Sequence, residues 1–558
     1  MIAGHSIRET VEAMAVALIL ALLFRGFEAE AFVIPTGSMA PTLMGQHKDL
    51  CCSQCGYWYQ AGASSESEEL AQQQGRAGQV EDVVWTTCPI CRYVESVDPR
   101  TESGREHATF GGDRVLVSKF SYELGEPRRW DVAVFRFPGE AQVNYIKRLV
   151  GLPRERVRIW HGDLYVEPEG DDTFRLERRS AAKVRSMAQI VYDNDYVVGT
   201  MTEKGWPLRW QNWPATDAGK DAWASTDGGR SFAITASAEL QWLRYRHYVP
   251  TIAQWGRMKQ ARLPEGYEPR PQLITDFYAY DTSVARNYPE AQPQLLGREW
   301  VGDLLLECRL EVKSAAGTVL FDLVKGGRHF RCELDCQSGQ ARLAIDGVDA
   351  YAPSAQTSVR GPGSHEVAFA NVDEQLLLWI DGSEVAFDGP TTYEPLGNDR
   401  PQSNSQDAGD LAPAGVAAQS AALRVSQLRL RRDIYYIAAT EGPVTDYPPS
   451  ASVPRMNYWE LVDFLSTPAA WNPSGQASPF DARREVIFPL GADEFLALGD
   501  NSPASQDARL WDAEKFVRRD LLIGKALYVF WPHALDKLPG TKIPFPFFPN
   551  FARMRLIR

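Results

Sequence analysis

A serine and a lysine stand in segments whose composition suits covalent chemistry. Ser38 lies in residues 34–43, where two prolines and a glycine predict a tight turn with an accessible hydroxyl. Lys147 lies in a strand-like apolar run, residues 144–153. A serine hydroxyl needs a neighbouring base to remove its proton, and a neutral lysine amine is one such base. Taken alone, the two segments are also compatible with an ordinary turn and a solvated edge strand.

The lysine can act as a base only if its pKa lies near the working pH. Lowering a lysine pKa from about 10.4 to about 8 requires roughly 3 kcal/mol of destabilisation of the ammonium, which burial supplies. Alternation along a strand places Tyr145, Lys147 and Leu149 on one face, so the amine emerges between apolar groups. The pattern therefore allows a buried lysine with a lowered pKa, although a lysine in a strand is more often a solvated edge residue.

These two segments belong to a series of boxes that follow one another in a fixed order. The boxes are residues 34–43, 112–119, 129–138, 144–153 and 498–509, followed by residues 522–526 and by Trp531 and Pro532. The series resembles the bacterial type I signal peptidases, membrane-bound Ser–Lys proteases that remove signal peptides from exported proteins. Three departures from the family pattern, at Thr36, Ser502 and the pair Arg154 and Glu155, remove no catalytic functional group.

The resemblance implies a role for each matching residue. Ser38 is the nucleophile and Lys147 the base; the Ser38 N–H and the Thr36 hydroxyl hold the oxyanion, and Ser505 orients the amine. Asp500 and Asn501 shape a turn near the site, and Asp507 and Arg509 form a structural ion pair beneath it. The mechanism implied in this way uses no catalytic cofactor.

Two Cys-x-x-Cys pairs lie between the first two boxes. They are Cys52 with Cys55 and Cys88 with Cys91. Two such pairs are typical of a zinc ribbon, in which four thiolates close a tetrahedral site. The alternative is one or two disulfides, since the resemblance places this region outside the membrane. We favour a structural zinc ion.

An apolar run of about 12 residues, 13–24, precedes the first box, whereas a spanning helix usually needs about 20. A membrane anchor, a cleavable signal peptide ending at Ala29-Glu30-Ala31 and a buried helix all fit this run. The resemblance favours the anchor. It also implies a single-pass protein of the inner membrane with its catalytic part on the outer, periplasmic face.

Long insertions separate the boxes, and the predicted fold is mainly β. Alternating segments such as residues 304–312 and 423–431 predict an antiparallel sandwich similar to concanavalin and laminin-G domains. The predicted organisation is residues 1–28, membrane anchor; 29–168, first part of a signal-peptidase-type antiparallel β core, including the ribbon-like insertion 50–111; 169–298, insertion of unassigned fold; 299–440, β-sandwich; 441–484, proline-rich linker; 485–535, second part of the core; 536–558, aromatic and basic tail.

These features predict a membrane-bound serine endopeptidase that cleaves exported pre-proteins after Ala-x-Ala-like sites. Its predicted partners are signal-peptide-bearing pre-proteins, the lipid bilayer and a glycan or protein bound by the sandwich. A net charge of −13 without a basic run argues against nucleic acid. The alternative is a membrane-tethered binding protein with a relic protease core. Because every box lies outside residues 169–484, we expect that insertion to be a surface appendage; otherwise it packs against the active-site edge.

Overall fold

The structure, a computed structural model, describes Met14 and residues 29–73, 78–213, 222–264, 266–287, 295–441, 444–512, 514–537 and 543–557. The paired strands in these ranges are antiparallel, which confirms the predicted mainly β, antiparallel architecture. The predicted anchor, residues 13–24, lies outside the described ranges except for Met14. Within those ranges, no helix combines the length and apolar character that crossing a bilayer requires.

One sheet carries the predicted catalytic boxes and is called the catalytic sheet. Its strands in spatial order are Ala29–Val33, Arg114–Ser118, Leu522–Trp531, Val132–Phe137, Glu140–Gly151, Glu494–Leu498 and Val517–Arg518, with Arg555–Leu556 paired to Leu522–Trp531. The candidate signal-peptide cleavage site, Ala29 to Ala31, lies in the first of these strands and pairs with residues of Arg114–Ser118. Because Arg555–Leu556 pairs with Leu522–Trp531, the aromatic and basic tail adds a short strand to the catalytic sheet.

A second, smaller sheet joins the two halves of the core across the insertion. Its strands are Arg175–Leu176, Asp163–Pro168, Glu155–Trp160 and Val486–Pro489. The strand after the insertion, Val486–Pro489, and the last strand before it, Asp163–Pro168, both pair with Glu155–Trp160. The chain thus leaves and re-enters the core in the same sheet, one strand apart.

Two large sheets form the bulk of the insertion. The first contains Trp223–Thr226, Ser231–Ile234, Leu423–Arg432, Leu304–Val312, Gly363–Val372, Gln375–Ile380 and Ser383–Glu384, with Gln189–Asp193 paired to Leu423–Arg432. The second contains Trp210–Trp213, Gln241–Tyr245, Ala414–Gln419, Thr318–Lys325, Arg328–Asp335, Gln340–Ile345 and Ser354–Gln356. Inward side chains of both sheets, including Leu306 and Phe321, share one core.

The predicted boundary between residues 298 and 299 falls inside this pair of sheets. Strands from the segment predicted to have no assignable fold, such as Gln241–Tyr245, pair with strands from the far end of the insertion, such as Ala414–Gln419. These early strands are only four or five residues long, too short for alternation to reveal them. We therefore propose residues 189–432 as one sandwich unit.

The cysteine-bearing region contributes two small sheets that pack on the sandwich. Their strands are Trp58–Gly62, His47–Cys51 and Thr109–Phe110 in one, and Val284–Ala285, Val83–Thr87 and Val94–Ser96 in the other. Trp255 of the insertion donates its indole N–H to the Cys91 carbonyl oxygen at 3.0 Å. A last two-stranded sheet pairs Leu535–Lys537 with Pro544–Phe548.

The described helices are short and lie between strands. They are Glu68–Gln73, Phe120–Glu123, Ala181–Met187, Gly199–Glu203, Ile252–Gln260, Tyr458–Ser466 and Pro468–Trp471. Thr251 and Asn457 start the two nine-residue helices with reciprocal capping boxes, which satisfy backbone N–H groups of the first turn.

The insertion is not the surface appendage that the sequence predicted. Ile434, Tyr436 and Ala438 from its end share a buried cluster with Leu149 and Leu498 of the catalytic sheet. Apolar burial of this kind contributes about 25 cal/mol per Å², so the contact stabilises both parts. The insertion therefore packs against the core through residues 434–438.

Candidate active site

Ser38 lies on a 3₁₀ turn, Gly37–Met39, soon after the edge strand Ala29–Val33. Its side chain is buried, and the Lys147 Nζ lies 2.8 Å from the Ser38 Oγ. The two residues predicted as nucleophile and base are therefore within hydrogen-bonding distance although 109 positions separate them in the chain. A hydroxyl at this distance can pass its proton directly to a neutral amine.

Lys147 occupies the long strand Glu140–Gly151 and pairs with Ala133 of the neighbouring strand. It is 4% exposed, and the Tyr145 ring centroid lies 5.2 Å from its Nζ. Burial lowers the pKa of Lys147 from 10.5 to about 8, against the opposing charges of Asp507 and Asp500. The neutral amine is thus accessible near pH 8, as a general base requires.

Thr36 and Ser505 both lie beside the nucleophile. Thr36 has an extended backbone directly before the 3₁₀ turn, and its hydroxyl makes no capping bond to that turn. Ser505 is buried, and its hydroxyl has no hydrogen-bond partner of ordinary geometry among the described residues. A Cβ at Gly499 would lie 2.2 Å from the Ser505 Oγ and 2.4 Å from the Ser38 carbonyl oxygen. Only glycine at position 499 allows the backbone to approach Ser38 and Ser505 this closely. The predicted hydrogen bond between Ser505 and Lys147 is absent among the described residues.

The predicted ion pair of Asp507 and Arg509 is fully buried. The Arg509 Nε and Nη2 donate to the two carboxylate oxygens of Asp507, each at 2.8 Å. Burial alone would raise the pKa of Asp507, but the charge and hydrogen bonds of Arg509 outweigh it and the pKa is lowered. Arg509 also donates to the Ile437 carbonyl oxygen at 2.9 Å and to the Ser502 Oγ at 2.8 Å. The insertion therefore reaches the floor of the site.

Asp500 has a partner that sequence reasoning missed. Arg148 donates through Nε and Nη2 to the two Asp500 oxygens at 2.7 and 2.6 Å, and both side chains are fully buried. The Thr42 hydroxyl also donates to Asp500. The sequence did offer a signal for this contact: Arg148 lies in an apolar strand, and an arginine buried there needs a negatively charged partner. This pair ties the strand bearing Lys147 to the turn that follows residue 499.

Asn501 makes the most direct contact with the nucleophile's turn. Its backbone N–H donates to the Ser38 carbonyl oxygen at 3.1 Å. Its side-chain Nδ2 donates to the Gly37 carbonyl oxygen at 3.1 Å and to the Asp281 Oδ1 at 2.7 Å. Asp281 belongs to the insertion and was not predicted, because it lies 220 residues from Asn501 in a segment with no charge pattern.

The four predicted cysteines lie together. The Sγ atoms of Cys52 and Cys91 are 3.5 Å apart, and those of Cys55 and Cys88 are 3.6 Å apart. A tetrahedral zinc ion with Zn–S bonds of about 2.3 Å places sulfurs about 3.8 Å apart, whereas a disulfide needs about 2.05 Å. The cluster is compatible with structural zinc and has no disulfide geometry.

Two other clusters of potential ligands are already matched by protein cations. The first comprises His47, Asp49 and His533, with the Arg553 Nη1 at 3.1 Å from the His47 Nε2. The second comprises the carboxylates of Asp163, Asp303, Asp373 and Asp433. Lys325 and Arg179 pair with three of these carboxylates. Cationic side chains at these positions disfavour a bound metal ion.

The family model described as "Signal peptidase, peptidase S26" matches residues 83–204 of this chain. A signal peptidase I of Pseudomonas fluorescens is 51% identical over 59 residues, which cover 8% of this chain and 21% of the relative. A signal peptidase I of Pseudomonas aeruginosa is 48% identical over 59 residues, with the same coverage, and one of Bacillus caldolyticus is 38% identical over 55 residues, covering 10% and 29%. The chain spans about a fifth of the length of the first of these curated relatives.

Among solved structures, the carbohydrate-binding module CBM66 of Bacillus subtilis aligns with 40% of this chain and 96% of its own length. The sequence identity is 8% and the TM-score 0.22, a likeness that supports no statement about a ligand. The family match includes three of the boxes, residues 112–119, 129–138 and 144–153, the last of which contains Lys147. By this segment the chain is similar to the signal peptidase family, peptidase S26, and its resemblance to the type I signal peptidases is confirmed.

Proposed function

We propose that this protein is a serine endopeptidase that removes N-terminal signal peptides from exported pre-proteins by a Ser–Lys dyad. One observation carries the proposal: the buried Lys147 Nζ lies 2.8 Å from the Ser38 Oγ. A relic core would be free to lose this contact, whereas here the amine, the hydroxyl and the supporting ion pairs are all present. The retained geometry favours an enzyme over a membrane-tethered binding protein.

Acylation begins when the neutral Lys147 amine takes the Ser38 hydroxyl proton. The Ser38 Oγ then attacks the scissile carbonyl carbon and forms a tetrahedral oxyanion. In our proposal the Ser38 N–H and the Thr36 hydroxyl bind this oxyanion. Lys147, now an ammonium, returns the proton to the departing amine, which becomes the N-terminus of the mature protein. The carbonyl remains bound to Ser38 as an ester.

Deacylation repeats these steps with water as the nucleophile. Lys147, again neutral, removes a proton from a water molecule that attacks the ester carbonyl carbon. Collapse of the second tetrahedral intermediate breaks the bond to Ser38, whose Oγ regains a proton from Lys147. The signal peptide leaves with a new carboxylate. In this proposal the buried Ser505 hydroxyl, which has no partner of ordinary geometry among the described residues, turns to accept from the Lys147 amine and orients it through both steps.

The proposed substrates carry small residues one and three positions before the cut. In the type I signal peptidases, which this chain resembles, such Ala-x-Ala segments bind in extended form along a sheet edge. We further propose that residues 1–28 anchor the protein in the inner membrane with the catalytic part on the periplasmic side. The lipid bilayer is then a partner of the protein, and the sandwich of residues 189–432 binds a glycan or another protein.

We also propose that Cys52, Cys55, Cys88 and Cys91 hold a structural zinc ion. The Sγ spacing of 3.5 to 3.6 Å supports this proposal. Burial raises the pKa of Cys88 and Cys91, so that these two thiols would stay largely protonated without a cation. Zinc would favour the thiolates and hold the ribbon against Trp255 of the insertion.

The experiment is cleavage of a purified pre-protein by the full chain in detergent micelles. We expect one cut after the Ala-x-Ala site, identified by the mass of the mature N-terminus. Replacing the alanine before the cut by phenylalanine should abolish cleavage, because a shallow pocket excludes the larger side chain. Ser38→Ala measured on the same substrate is the control for a contaminating protease. Cleavage elsewhere, or unchanged cleavage by the variant, refutes the proposed function.

A further inference from the structure

A turn of the insertion lies directly against the nucleophile's turn. This insertion turn, Ala279–Thr282, places the Tyr280 ring on Gly37, where an added Cβ would lie 2.0 Å from the Tyr280 Cε1. The Tyr280 hydroxyl donates to the Gln46 carbonyl oxygen at 3.1 Å. Tyr280 also shares a buried cluster with residues of the loop that follows Ser38. The insertion therefore restricts where the nucleophile's turn can lie.

The next residue of the insertion turn, Asp281, is joined to the nucleophile's turn through Asn501. The Asn501 Nδ2 has two protons and faces two acceptors, the Gly37 carbonyl oxygen at 3.1 Å and the Asp281 Oδ1 at 2.7 Å. An amide flipped by 180° would instead direct its oxygen at two other oxygens. The two acceptors together fix the orientation of this side chain.

The Gly37 carbonyl matters because it shares a peptide unit with the Ser38 N–H. In a planar trans peptide the C=O and the N–H point in opposite directions. Whatever fixes the direction of the Gly37 carbonyl therefore also fixes the direction of the Ser38 N–H, the backbone donor of the proposed oxyanion hole. An oxyanion donor acts only when it is aimed at the position that the oxyanion will occupy.

We propose that Asp281 is a positioning residue for catalysis, which acts through Asn501 and the Gly37 carbonyl to aim the Ser38 N–H at the oxyanion. The inference rests on the proposed function and makes the insertion part of the catalytic apparatus. A second set of contacts holds the chain just after the insertion turn, where Arg286 pairs with Asp82 and Asp98 of the cysteine-bearing region.

Burial of the Asp281 carboxylate opposes its ionisation. Its Oδ2 is buried and has no hydrogen-bond partner among the described residues, and burial raises the pKa of Asp281 to about 7. The bond from Asn501 and the charge of Arg432 oppose this shift, while Asp276 adds to it. Replacing Asp281 by alanine removes this unpaired oxygen but also leaves one proton of the Asn501 Nδ2 without its acceptor, so the two effects on the melting temperature oppose each other.

The test compares Asp281→Ala with Asp281→Asn in the full chain, using cleavage of an Ala-x-Ala peptide in detergent. We expect Asp281→Ala to lower kcat on the order of 10-fold or more, with KM changed less than about threefold, because an oxyanion donor acts in the transition state. Asp281→Asn retains an acceptor for the Asn501 Nδ2 and should stay within about threefold of wild type. Asp388→Asn, the same change at an exposed residue of the sandwich whose side chain bonds to Ser354 alone among the described residues, is the matched control.

A double-mutant cycle with Asn501→Ala tests the route of the effect. If Asp281 acts through Asn501, the double variant should be no slower than Asn501→Ala alone, within about threefold. If the losses of the two single variants multiply in the double variant, the route through Asn501 is refuted. An unchanged kcat in a folded Asp281→Ala variant would refute the inference itself. An Asp281→Asn variant as slow as Asp281→Ala would also refute it, because the asparagine retains the acceptor for the Asn501 Nδ2. Ser38→Ala assayed alongside separates these failures from failure of the proposed function: an active Ser38→Ala overturns the proposed function, whereas an inactive one leaves it standing whatever the Asp281 variants show.

Discussion

The lowered pKa of Lys147 predicts how cleavage depends on pH. Burial brings the pKa from 10.5 to about 8, a difference worth about 3 kcal/mol at 1.36 kcal/mol per unit. Only the neutral amine accepts the Ser38 proton, and at pH 6 about 1% of the lysine is neutral, against about 90% at pH 9. We therefore expect kcat/KM to rise about 90-fold between these pH values, with a single inflection near 8.

The assay is kcat/KM for a fluorogenic Ala-x-Ala peptide from pH 6 to 10, with the full chain in detergent. Asp281→Asn is the control, because Asp281 has a pKa of about 7 and its removal should leave the inflection near 8. An inflection near 10, or a profile that is flat above pH 6, would refute the assignment of Lys147 as the base.

The same lysine makes stability depend on pH with a defined sign. Its pKa is lower in the folded chain than in the unfolded chain, so between about 8 and 10.5 the unfolded chain binds more protons. The destabilisation by the buried ammonium is therefore fully present below pH 8 and is lost as the pH rises to 10.5. A Lys147→Met variant should gain stability over wild type at pH 7 and lose this advantage near pH 10.5 in urea unfolding.

The remaining predictions concern the oxyanion hole, the cysteines and the insertion. Thr36→Val should lower kcat on the order of 10²-fold if its hydroxyl binds the oxyanion, and a change within threefold would mean that other donors suffice. Purified protein should contain about one zinc per chain by elemental analysis and no disulfide among the four ribbon cysteines by mass spectrometry; Cys88→Ser should lose the metal and lower the melting temperature. Replacing residues 172–480 by a Gly/Ser linker should reduce cleavage more than 100-fold, because this change removes Asp281 and the Ile437 carbonyl oxygen to which Arg509 donates. Activity within tenfold of wild type would show that the insertion is dispensable for cleavage.

The dyad was predictable from sequence because its chemistry is local. The turn around Ser38 and the apolar strand around Lys147 are each encoded within about ten residues, and their order along the chain matches a known series of boxes. Strand alternation placed Lys147 between apolar side chains, the family resemblance favoured its burial, and the structure agrees with that expectation. The Cys-x-x-Cys spacing in the same way indicated a four-thiol cluster.

The contacts between distant segments were not predictable in this way. Asp281 reaches Asn501 across 220 residues, and nothing near it in the chain distinguishes it from a surface aspartate. Arg148 alternates away from Lys147 along its strand, so its pairing with Asp500 depends on how two sheet segments meet. The boundary at residue 298 failed for a related reason, since strands of four or five residues give no readable period.

The central claim is that Ser38 and Lys147 act as one catalytic unit. The most direct measurement is kcat/KM of wild type, Ser38→Ala, Lys147→Ala and the double variant on one pre-protein, with folding of each checked by its melting temperature. We predict that each single variant loses at least about 10³-fold and that the double variant loses no more than the slower single one, as residues that act together do. Full activity in either folded single variant, or losses that multiply in the double variant, would contradict the account.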